Sequence, residues 1–147
     1  MTRIPDDIAR LLETKGVPAG EIRHALLCDR SMEGDGFVER YVLMGSEHLH
    51  ILRRNQEVIV GTKTFKGYLL PKKETGFIER KLDADDWTLE SIRLSAIESL
   101  TVVNLVASGM LVVQEHGAEK RTLGTFTNSQ MEAASKLASA YEKQKNG

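Results

Sequence analysis

Apolar and polar residues alternate in short runs through most of this chain, and the alternation lengthens to a helical period only at the two ends. Over residues 36–44, Phe37, Glu39, Tyr41 and Leu43 fall on one face of an extended strand, with Val38, Arg40, Val42 and Met44 on the other. A strand over 47–53 follows the Gly45-Ser46 turn, with Leu49 and Ile51 as its apolar face. Further strands are expected over 21–28, 57–61, 77–82, 88–94, 97–107, 110–116 and 119–126. Turn-forming groups separate them at Arg53-Arg54-Asn55-Gln56, Asp83-Ala84-Asp85-Asp86, Ala107-Ser108-Gly109 and His116-Gly117-Ala118. Short strands joined by tight turns predict antiparallel sheet rather than βαβ units.

The two ends read as helices. Pro5 suits a first helical position, Asp6 and Asp7 complement the positive end of the dipole, and Ile8, Leu11 and Leu12 form one apolar stripe. Lys15-Gly16 supplies the stop, and residues 17–20 form a linker. The stripe is expected to pack on the domain, because a helix this short has little reason to form in water. Over 127–145 the period becomes about 3.6, and Met131, Ala134, Leu137, Ala138 and Tyr141 share a side. Thr127 with Gln130, or Ser129 with Glu132, has capping-box spacing. A helix rich in small residues can sit close to a sheet and plug the open end of a barrel.

Composition narrows the classes. The chain of 147 residues fits one domain with its own core, divided into a helix and linker over 1–20 and a β-rich body over 21–147. A net charge of −1 gives no electrostatic case for nucleic acid. Cys28 stands alone, which rules out an internal disulfide and a thiolate metal cluster and fits a reducing compartment, with the thiol read as a small apolar strand residue. The acidic start after Pro5 does not resemble a signal peptide, and no window reaches the roughly 18 apolar residues of a membrane span. A soluble, cytoplasmic protein is expected.

The order of elements resembles the pleckstrin-homology-like plan: antiparallel strands followed by one amphipathic C-terminal helix. The resemblance is closest to the cytosolic domain that precedes the membrane and ATPase parts of some bacterial ABC exporters. Residues that carry it are Ile4-Pro5, Val17-Pro18 with Glu21-Ile22, Cys28-Asp29, and the runs 35–43 and 48–52. The runs 92–100, 109–113 and 125–128 complete it. It implies a sandwich or partly open barrel of about seven strands closed by the C-terminal helix. The implied role is a non-catalytic accessory domain, docking on the rest of a transporter, another protein or an anionic membrane surface at its inner face. ATP would bind elsewhere in such a parent, since no G-x-x-x-x-G-K-[ST] loop is present in this chain. The alternative is a free-standing binding module for a peptide or lipid. No catalytic residue and no cofactor are expected.

The loop 29–36 sets Asp29, Glu33 and Asp35 against Arg30, which argues against a polyphosphate there. Its faint calcium-loop spacing fails where the bidentate carboxylate should be, at Arg40. His48 and His50 share a strand face at metal-ligand spacing, and a third ligand would have to come from His24 or His116. Solvent-facing polar residues are the preferred reading. Trp87 reads as a core or edge anchor. The stretch 62–76, an insertion or long hairpin, interleaves Lys63, Lys66, Lys72 and Lys73 with Phe65 and Tyr68, which makes it the candidate contact loop.

Overall fold

Pro5 caps the first helix, α1 (Asp6–Thr14), and Asp7 Oδ1 accepts from the Ile8 amide at 2.8 Å. The helix ends in a Schellman motif: Gly16, at φ 89°, donates to Glu13 O at 3.1 Å, and Val17 donates to Leu12 O at 2.9 Å. This places Val17 back over Leu12 in one apolar cluster. In the computed structural model the described residues are 4–28, 36–37, 39–55, 58–59 and 84–146. The stretch 62–76 and the expected strand 77–82 lie outside them.

The architecture is mainly β: a four-stranded and a three-stranded antiparallel sheet, with helices at both ends of the chain. The strands are β1 (His24–Cys28), β2 (Gly36–Phe37), β3 (Arg40–Met44), β4 (His48–Arg54), β5 (Val58–Ile59), β6 (Trp87–Arg93), β7 (Ile97–Asn104), β8 (Ser108–Glu115) and β9 (Arg121–Thr127). The first sheet has the order β1-β3-β4-β6 and the second β7-β8-β9, while β2 and β5 form a small ribbon. The sheets do not close into a barrel. The C-terminal helix, α2 (Met131–Asn146), packs against β1 and β7.

The first sheet is apolar on both faces, which the burial along β3 makes plain. Val42 and Met44 join Leu26, Leu49, Ile51 and Ile92 in the main core, which continues into Leu111, Val113, Phe126 and, from α2, Leu137 and Tyr141. Tyr41 and Leu43 point the other way, into a second core with Leu52, Trp87 and the helical Ile8, Leu11 and Leu12. Ile8 and Leu12 are fully buried. Burying each such side chain contributes about 1.5–3 kcal/mol, which a nine-residue helix needs because it is marginal alone. The expectation that the stripe packs on the domain holds, and Trp87 is a core anchor.

Several boundaries differ from the pattern reading. The first strand starts at His24 rather than at 21, because a 3-10 turn over Ala19–Glu21 bonds Ile22 N to Ala19 O at 3.1 Å. The strand over 36–44 is interrupted between β2 and β3. Past Arg54 the Asn55 amide donates to Asp86 O at 2.7 Å, which draws the end of β4 towards β6 and breaks the ladder. For the same reason Arg53 and Arg54 are not a turn: they pair with Thr88 and Trp87 within β4. The β7–β8 hairpin turns at residues 105–107, earlier than expected, since Asn104 already pairs with Gly109.

The C-terminal helix has the expected buried face, Ala134, Leu137 and Tyr141, but Thr127 and Gln130 do not form a capping box. Thr127 makes no side-chain cap bond and meets the Ser129 hydroxyl at 2.7 Å. Gln130 instead accepts from the Leu27 amide at 3.2 Å, so it ties the helix entry to β1. At the other end the Tyr141 hydroxyl donates to Ile97 O, the first residue of β7. Burial, aided by the negative charge of Glu142 and Glu98, pushes the Tyr141 phenol up and keeps it a neutral donor.

A bulge in β9 brings the two sheets into contact. Leu111 pairs with Gly124 but Val112 pairs with Thr122, which leaves Leu123 as the extra residue, and Arg40 Nη1 donates to its carbonyl. A Cβ at Gly124 would lie 2.6 Å from Cys28 Cβ and 2.7 Å from its Sγ. Gly124→Ala is therefore expected to destabilise the fold by about 1–3 kcal/mol through overpacking. Chemical denaturation measures this, and an unchanged midpoint would contradict the contact.

Candidate recognition surfaces

One end of the molecule carries a continuous cleft where the β3–β4 turn, the β6–β7 turn and the end of α2 meet. A groove of about 330 Å³ runs between Ser46, Glu47 and His48 on one side and Arg93 and Ser95 on the other. An adjoining cleft of about 290 Å³ has Ile97 and Tyr141 in its lining and His116 and Lys145 at its edge. Gln144 belongs to both. The frame is held by long-range bonds: Leu94 N to Glu47 O at 2.8 Å, His116 N to Ala96 O at 2.9 Å and Lys145 Nζ to Glu98 O at 2.6 Å. Gln144 Nε2 donates to Ser46 O and pins the helix over the mouth. Many of its polar groups are thus spent on the fold, and the cleft offers a shallow, mixed surface.

The structure separates the four histidines by environment. His48 lines the groove, and its ring stacks on His50 with centroids 5.7 Å apart. His50, read from alternation as solvent-facing, is only 6% exposed, with Nδ1 2.7 Å from Ser91 Oγ. The correction has a physical cause: its side of β4 also carries Leu52, and α1 and its linker cover that face of the sheet. His116 sits at the adjoining cleft, and His24 lies beside α2. Among the described residues, no three His, Cys, Asp or Glu side chains are placed to hold a metal ion.

At the end of the β7–β8 hairpin is a surface that the sequence reading missed. Val106 is fully exposed and Leu105 is 44% exposed. No charged residue occurs from 99 to 114 along this hairpin, or from 122 to 131 along β9 and the start of α2. Hairpin tips favour Gly, Asn and Asp, so an apolar tip departs from local turn chemistry, as functional positions often do. The signal was present in the sequence, but placing the turn at 107–109 hid it inside a strand.

The candidate contact residues Lys63, Phe65, Lys66, Tyr68, Lys72 and Lys73 lie outside the described residues, as does the acidic loop 29–35. Cys28 is fully buried, as its plainer reading required. Among the described residues no helix is long and apolar enough to cross a membrane. No family model, curated protein or solved structure matches this chain.

Burial, reinforced by the positive charge of His48 and opposed by Glu21, pulls the His50 pKa below its ordinary 6.5. A depressed pKa means that the unfolded chain binds the proton more readily, so stability is full above 6.5 and is lost as pH falls through the folded value. His24 shifts in the same direction, first through burial and then through neighbouring positive charge. The urea midpoint is expected to fall between about pH 7.5 and pH 5, and His50→Gln should narrow that fall. An identical fall in wild type and variant would remove His50 from the account.

Proposed function

We propose that this chain is a non-catalytic recognition domain of the pleckstrin-homology-like type, the cytosolic accessory part of an ABC exporter, which docks on a protein or membrane surface. The observation that carries the recognition role is the β7–β8 hairpin, which exposes Leu105 and Val106 at its tip and whose own strands carry no charged residue from 99 to 114. Apolar side chains held out this way are stabilised when a partner covers them, and burial of each contributes about 1.5–3 kcal/mol. The two-sheet body with its C-terminal helix supports the family reading. The basic loop with Lys63, Lys66, Lys72 and Lys73 would add about 1 kcal/mol per lysine at an anionic bilayer.

The test is sedimentation with vesicles of phosphatidylcholine alone or with phosphatidylserine, at low and physiological salt. Membrane docking predicts a bound fraction that drops in the Leu105→Asp, Val106→Asp double variant. It also predicts a salt-sensitive part that drops when the four lysines become alanine. Absence of binding to either vesicle excludes the membrane form. In that case the same aspartate variant must weaken crosslinking to a transporter body, and a variant indistinguishable from wild type in both assays would defeat the proposal.

A further inference from the structure

Along one side of α2, residues that do not enter the core make a polar stripe: Glu132, Ser135, Lys136, Ser139 and Lys143, each three or four positions from another member. The stripe borders a groove of about 490 Å³ that His24, at the start of β1, also lines. His24 is the first residue of β1, and register with Met44 holds its backbone in the ladder. Its Nδ1 is shut off from water and has no hydrogen-bond partner among the described residues. A buried imidazole nitrogen of this kind is uncommon, because leaving it unmatched opposes folding. Ser135, Lys136, Ser139 and Lys143, all exposed on α2, line the same groove.

We infer that the groove between α2 and β1 is a binding site for a compact oxyanion, a phosphate or sulfate group, held by Lys136, Lys143, the two serine hydroxyls and His24. The donor set suits this chemistry. Two ammonium groups supply point charges, hydroxyls donate to further oxygens, and an imidazole lining the groove can take up a proton and add a positive charge. The site lies away from the hairpin tip and the cleft at the end of α2, and it does not depend on the docking role proposed above.

The charges around His24 fix how binding responds to pH. From α2, Lys136, Lys143 and Glu132 line the same groove, Arg23 immediately precedes His24 ahead of β1, and the amino terminus adds positive charge. Burial first, and then the amino terminus, Lys136 and Arg23, pull the His24 pKa below its ordinary value. An anion among them offsets that positive field and draws the proton on, so for an anion of fixed charge such as sulfate binding must strengthen as pH falls through the His24 titration. Glu132 opposes the anion: it pairs with Lys136 at 3.3 Å and competes for that ammonium.

Imidazole NMR of the whole chain, titrated with inorganic phosphate against sodium chloride at equal ionic strength, tests the site. Expected are saturable shifts confined to His24 and to residues 132–143, with a rise in the His24 pKa that chloride does not produce. Lys136→Ala with Lys143→Ala should weaken binding about tenfold, Glu132→Gln should tighten it, and His24→Gln should flatten its pH dependence. The lysines and the glutamate are exposed, so these variants keep the fold. Soluble short-chain phosphatidic acid identifies the source: a response to it that far exceeds that to phosphate marks a lipid-borne group. Equal shifts with chloride, or a His24 titration unmoved by either phosphate, would overturn the assignment.

Discussion

The four-stranded sheet is apolar on both faces, and each face must be covered. Everything else in the fold follows from that constraint. Val42 and Met44 on one side require the second sheet and α2, and Tyr41 and Leu43 on the other require α1. An antiparallel sheet can leave one face in water, but here that would expose Leu43 and Leu52, both fully buried, together with Trp87. The first helix is thus part of the domain's core. The same constraint draws His50 out of solvent and gives it a depressed pKa.

Once both faces are covered, little surface remains for recognition, and the remaining pieces differ in chemistry. The mouth beneath α2 is largely committed to holding the helix, through Gln144, Lys145 and Tyr141. The β7–β8 tip is apolar and charge-free, whereas the α2–β1 groove is polar and cationic. The fold thus separates a surface suited to apolar burial from one suited to an anion. The exposed ion pairs add little to this picture. Arg121 with Glu90 is nearly half exposed on each side, where such pairs contribute about 0–1 kcal/mol.

Much of the fold was legible because period alone separates strand from helix. The two helices, the strand-rich body and the buried face of α2 could all be read from spacing. What could not be read depends on distant residues. Alternation assigns His50 to the face opposite Leu49 and Ile51, but only the docking of α1 decides that this face is buried. Arg53 and Arg54 look like a turn until β6, far along the chain, arrives to pair with them. Gln130 has the spacing of a cap but spends its oxygen on Leu27, a strand residue remote in sequence. His24 carried no signal as a groove residue, since its place beside Lys136 depends on how α2 crosses β1. Turn placement concealed Leu105 and Val106 for a simpler reason: Ser-Gly is the stronger turn signal, and the chain reverses just before it.

α1 and the two sheets form one cooperative unit, with α1 joined to the first sheet through the core around Trp87 and the second sheet joined to its other face. Trp87 is the sole tryptophan, so its emission reports on that core alone, while far-UV circular dichroism reports on the sheets and helices together. Equilibrium urea unfolding followed by both signals is the direct test. Coincident transitions with one midpoint are predicted. A Trp87 red shift complete at lower urea than the dichroism change would show that α1 detaches on its own, and would contradict the account.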